Sequence, residues 1–179
     1  MRAAEYAALR RTIAARGTAR IVIAPVACAL WATLTVVLVL FGDVPLALLL
    51  SLAVLVGGFE AVHALHVGAE RIGRYLQVQY EGREDGPQWE TTSMAVGPAL
   101  PGGGVDPLFS VVFAGAAAVN LLATLLILAE PTVPEFVALG ALHAAFLFRI
   151  VRARVAAARQ RAVELESFKA LLLRQRDRG

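Results

Sequence analysis

Six polar or ionisable side chains interrupt otherwise apolar stretches of this sequence: Glu60, His63, His66, Asn120, His143 and Arg149. All three histidines of the chain belong to this set, which raises metal, haem and proton-transfer chemistry at once. Glu60 and His63 have the i, i+3 spacing of ligands in carboxylate-bridged di-iron bundles. A complete site of that kind needs a second such pair, which only a symmetric homodimer would provide. Glu60, His63 and His66 also step along one helix at three-residue intervals toward Glu70, a spacing that could pass a proton. His143 and Asn120 are the only groups that could continue such a path through the other half. The remaining alternative is plain fastening, in which the polar groups pair with one another between helices.

Soluble catalytic chemistry has little support. Cys28 is the only cysteine, so the chain can form neither an internal disulfide nor a cysteine-based zinc cluster. There is no Ser/His/Asp order, and Gly102, Gly103 and Gly104 lack the Lys-Ser/Thr sequel of a phosphate-binding loop. The sequence therefore predicts no enzyme, no cofactor and no resident metal.

The elements that hold these residues are membrane spans. Of 179 residues, 58% are hydrophobic and 17% charged, a balance suited to a lipid environment. About 20 apolar residues cross ~30 Å of hydrocarbon. Four segments approach that length: 21–41, 44–68, 108–129 and 133–151. Asp43 before Val44-Pro45 and Asp106 before Pro107 are expected N-caps of the second and third spans. Thr132-Val133-Pro134-Glu135 reads as a capping box opening the fourth, and Glu130-Pro131 as the turn ending the third. Short connections make two hairpins, 21–68 and 108–151. The first span is too long, and its basic flank too extended, for a cleaved signal peptide. Pro25-Val26-Ala27-Cys28 is a poor lipoprotein box because too few apolar residues precede it.

The arginines set the orientation. Arg2, Arg10, Arg11, Arg16 and Arg20 precede the first span, Arg71, Arg74 and Arg83 follow the second, and the rest follow or end the fourth. The other side carries only Asp43, Glu130 and Glu135. The positive-inside rule then places both termini and the middle loop in the cytoplasm. A net charge of +3 is explained by this asymmetry without nucleic acid as a partner. Abundant Ala, Arg, Gly and Leu with one Lys suggests a bacterial, GC-rich source and hence an inner (cytoplasmic) membrane.

Outside lipid, helical stripes recur. Tyr6, Leu9 and Ile13 mark a basic amphipathic helix over 1–20, expected to end at Gly17 before Thr18 caps the first span. Ile72, Tyr75, Leu76 and Tyr80 extend the second span to about Glu81. Val151, Val155, Ala158, Ala162, Leu165, Phe168 and Leu172 form a seam along a carboxyl-terminal helix over 152–179. The seam can close a small bundle with the other two stripes or pair with another subunit. Residues 69–107 comprise the helix extension and a Gly/Pro-rich stretch from 82 to 106 expected to be loop, with Trp89 a candidate headgroup anchor.

Depth sorts the six polar residues. At 1.5 Å per residue, Glu60 and Arg149 both lie about 24 Å from the outer boundary, and Asn120 and His143 both about 12–15 Å. His63 and His143 differ by about 13 Å, too much for two haem ligands facing each other. Small residues at packing intervals, Gly57/Ala61, Ala64/Gly68, Ala114/Ala118 and Gly140/Ala144, permit close helix contacts. The expectation is an all-α integral membrane protein of four transmembrane helices, N-in and C-in. It would serve as a non-enzymatic subunit of a homo-oligomer or larger complex in the lipid bilayer. A small proton or ion channel using Glu60, His63 and His66 is the alternative.

Overall fold

The computed structural model describes residues 2–41, 45–81, 88–96, 108–127 and 132–176. They are helical almost throughout: α1 (Arg2–Phe41), a 3-10 turn (Pro45–Ala47), α2 (Leu48–Gln79), α3 (Trp89–Val96), α4 (Ser110–Ile127) and α5 (Val133–Arg176). Four helices, α1, α2, α4 and α5, are long and apolar enough to cross a membrane. The expected caps Asp43 and Asp106, the turn Glu130-Pro131 and the run Gly102 to Gly104 fall outside the described residues.

Two expectations are corrected. Helix α1 runs unbroken through Gly17 and Thr18 into the apolar segment. An interior glycine costs a helix only about 1 kcal/mol relative to alanine, and the Ala- and Arg-rich flanks are strong helix formers that absorb it. Pro25 also lies inside α1. The second correction concerns 82–106, where α3 occupies Trp89–Val96. The capping box at the start of α5 is present: the Thr132 N–H and hydroxyl donate to Glu135 Oε2 at 3.0 and 2.8 Å, and the Glu135 N–H reaches back to the Thr132 hydroxyl at 3.5 Å.

The chain divides into two compact units. One, the apolar unit, comprises Arg20–Ala64 and Pro107–Arg154. Its helices each bury a stripe at three- and four-residue steps: Ala24 and Ala27 on α1, Leu48, Leu52, Leu55, Phe59 and Val62 on α2, Phe113 and Ala117 on α4, Leu139, Phe146 and Ile150 on α5. Phe59 is the centre, packing edge-on against Phe113 (centroids 5.6 Å apart) and Phe146 (5.9 Å). The outward faces stay greasy; Val22, Val26, Leu30, Val111, Leu122 and Leu126 are among the exposed residues.

Of the glycine pair at 57 and 58, it is Gly58 that permits close approach. A Cβ there would collide with the Ala27 Cβ and touch the Phe113 ring, whereas one at Gly57 would meet nothing within 4 Å. Gly58→Ala should therefore force α1 from α2 and cost about 1–3 kcal/mol. Gly57→Ala should cost nothing measurable. Thermal unfolding in detergent checks the pair, and equal melting temperatures would exclude this packing.

The other, charged unit comprises Met1–Ala19, Leu65–Asp106 and Val155–Gly179. Tyr6 on α1, Tyr80 just past α2, Tyr75 on α2 and Phe168 on α5 form a chain of one tilted and two edge-on ring contacts, with centroids 5.5, 6.3 and 5.8 Å apart. Ion pairs surround it. Buried Arg74 binds Glu164 and, at 3.2 Å, Glu70, while Arg71 Nε lies 3.0 Å from Glu164. The Arg16 guanidinium occupies the space that a side chain at Gly68 would need.

Helix α3 owes its start to a remote cap. The buried Glu81 carboxylate accepts the Glu90 N–H (2.7 Å), the Thr91 N–H (2.7 Å) and the Thr91 hydroxyl (2.8 Å). A carboxylate at a helix N-terminus both satisfies the first free N–H groups and complements the helix dipole. Removing it in Glu81→Ala should cost about 2 kcal/mol and unwind α3, read as faster amide exchange over 89–96. Unchanged exchange would count against the cap.

Nearby, burial pushes the Glu90 carboxyl upward, outweighing the pull of its ion-pair partner Arg10, and Glu81 adds to the rise. The folded state then holds the Glu90 proton more tightly than the unfolded one. Stability falls as pH rises from the ordinary carboxylate range through the raised value. Glu90→Gln should flatten that part of the pH–stability curve.

Candidate functional site

The apolar unit contains two polar clusters. The first centres on Asn120, fully buried on α4. Trp31 Nε1 donates to Asn120 Oδ1 at 3.0 Å, and the Ser51 hydroxyl lies 2.5 Å from the same oxygen. On the opposite side of the amide, Nδ2 faces the Leu48 carbonyl at 3.3 Å and His143 Nε2 at 3.2 Å. Indole is only a donor, so the atom facing Trp31 must be the amide oxygen. The amide nitrogen then donates to His143 Nε2, which must accept. The His143 proton therefore sits on Nδ1 and is donated to the Leu139 carbonyl at 2.9 Å. One assignment satisfies every member. The Ser51 hydroxyl proton is the only shared one, with the Leu48 carbonyl at 2.7 Å as its other acceptor. On the same helix the Thr124 hydroxyl donates to the Asn120 backbone carbonyl at 2.8 Å.

The second cluster joins α2 and α5. Arg149 Nη2 donates to Glu60 Oε2 at 2.7 Å and to His63 Nδ1 at 3.3 Å, while the guanidinium carbon lies 5.9 Å from the Phe59 ring centroid. The Arg149 and Glu60 side chains are 38% and 41% exposed, so this pair lies at the margin of the unit rather than in its core. His66, the sixth candidate, is buried and belongs to the charged unit.

The structure thus brings together the two pairs of equal depth and adds three side chains that depth alone did not flag: Trp31, Ser51 and Thr124. The signal for Trp31 was available in principle. An indole N–H in an apolar run needs an acceptor, and Asn120 is the strongest one in the neighbouring runs.

The chemistry open to these clusters is narrow. Glu60 and His63 both face the Arg149 cation, which stands where a metal bound by that pair would have to sit. Asn120 and His143 have their donors and acceptors engaged. Among the described residues no group of three or more His, Cys, Asp or Glu side chains could hold a metal ion. In the charged unit a cavity of about 300 Å3 is lined partly by Glu81 and Lys169, but its one carboxylate is the cap of α3. No family model, no curated protein and no solved structure matches the chain.

Proposed function

We propose that this chain is a four-span membrane protein that serves as a non-enzymatic, structural or accessory subunit of a membrane assembly. The observation that carries the reading is the closed hydrogen-bond network around Asn120. Its polar groups are committed to joining α1, α2, α4 and α5, leaving no free acid, base or nucleophile at its centre. In hydrocarbon, helices must satisfy polar groups internally, and this cluster does so.

The apolar unit lies in the bilayer. The hairpins 21–68 and 108–151 place the amino terminus, the segment between α2 and α4 and the carboxyl terminus on the cytoplasmic side, where the arginines are concentrated. The charged unit supplies the assembly's soluble face. A bacterial inner membrane fits the composition.

Native mass spectrometry from mild detergent, with an absorption spectrum of the same sample, tests the reading. A multimer or a defined complex without cofactor absorbance is expected. A solitary monomer would overturn it, as would proton flux in liposomes that disappears with Glu60→Gln. The second outcome would install the conduction pathway through Glu60, His63 and His66 instead. Reporter fusions at residue 179 should report a cytoplasmic carboxyl terminus.

A further inference from the structure

We infer that the face bearing Glu60 and Arg149 is where two copies of this chain meet, an inference that rests on the membrane-assembly reading. The ion pair is about two-fifths exposed at the edge of an apolar unit. Guanidinium carries five N–H donors, yet only Nη2 is engaged, and Glu60 uses only Oε2 among the described residues. Lipid chains cannot satisfy the surplus donors or the free oxygen, and an ionisable group left facing hydrocarbon is costly.

A second copy satisfies both signs at once. A two-fold axis along the membrane normal keeps every residue at its own depth, and Glu60 and Arg149 lie at nearly one depth. That operation sets Arg149 of the partner subunit against the free Glu60 oxygen, and the reverse contact follows by symmetry. The product is a ring of two carboxylates and two guanidinium groups. A lipid phosphate would suit the arginine but repel the carboxylate. A foreign helix would need its own matched pair at the same level.

The surface around the pair permits this approach. Ala53 and Gly57, on the turns before Glu60, and Ala64, on the turn after it, are exposed on the same side of α2, and a Cβ at Gly57 would meet nothing within 4 Å. Ala145, one turn before Arg149 on α5, is exposed as well. Small side chains beside a polar pair let two helix backbones close to the distance that hydrogen bonds require.

The test is native mass spectrometry in mild detergent with three proteins. Wild type should appear at twice the mass of one chain. Gly57→Leu adds bulk to the approach surface at a position where a Cβ meets nothing within 4 Å, so it should weaken association at least ~10-fold, about 1.4 kcal/mol. Its circular dichroism should match that of wild type, showing that the fold of each chain is kept. Gly115→Leu, also in open space but on α4, should remain a dimer. If Gly57→Leu stays assembled, this face is wrong while the assembly reading stands. Wild type bound through other subunits alone, or retaining only lipid, also overturns the dimer. A wild type that is monomeric and without any partner removes both proposals.

Discussion

Asn120→Leu is expected to be the most damaging single polar substitution in the apolar unit. It leaves the Trp31 indole N–H and His143 Nε2 without their partner, while the Leu48 carbonyl keeps the Ser51 hydroxyl. In water-soluble proteins each orphaned group costs about 1–3 kcal/mol, whereas interhelical hydrogen bonds in membranes average about 0.6 kcal/mol. The sum across three helices should come to about 2–4 kcal/mol, read as a lower melting temperature in detergent. Asn120→Asp keeps an acceptor for Trp31 but withdraws the donor that His143 Nε2 accepts, so it too should destabilise. His143→Phe should cost less than Asn120→Leu because it removes one arm of the network rather than its centre. An Asn120→Leu protein as stable as wild type would exclude the network as a fastener.

Arg149→Leu should come next, because it removes the cation and leaves the Glu60 charge in place. On insertion scales an unpaired acid at the bilayer centre costs about 2.5–3.5 kcal/mol, and toward the membrane edge about 2 kcal/mol is reasonable. Removing both partners, Glu60→Leu with Arg149→Leu, should be less harmful to folding than Arg149→Leu alone, since no bare charge remains. Equal damage from the single and double changes would argue against direct pairing. The same double change should still weaken dimer formation, because the ring between copies needs both signs. Folding and association therefore separate in one series of variants.

Much of this arrangement was legible in the sequence, for a definite reason. Helical rise converts residue number into depth, so Glu60 with Arg149 and Asn120 with His143 emerged from counting alone. Rotation about each helix axis was harder. Gly57 and Gly58 are chemically identical neighbours, and only the packing against Ala27 and Phe113 tells which one faces inward. Trp31 entered the Asn120 network by the same kind of rotational detail. Helix α3 escaped notice because its cap, Glu81, lies eight residues before Trp89, outside the few residues in which capping signatures are sought. At Gly17 a local stop signal was outweighed by the propensity of its neighbours. The seam along α5 was legible as a stripe but not in its fate. Val151 and Val155 are exposed, while Leu165, Phe168 and Leu172 are partly buried.

The Asn120 network also bears on how the protein is made. Chains emerge amino terminus first, so Trp31, Ser51 and the Leu48 carbonyl are already available when Asn120 is made. They hold the amide oxygen and one of its hydrogens at once. The other hydrogen has no designated acceptor until His143 arrives with the final helix. Docking of α5 thus completes a lock whose other parts lie earlier in the chain. A chain stalled before His143 would carry one unmet amide donor at Asn120.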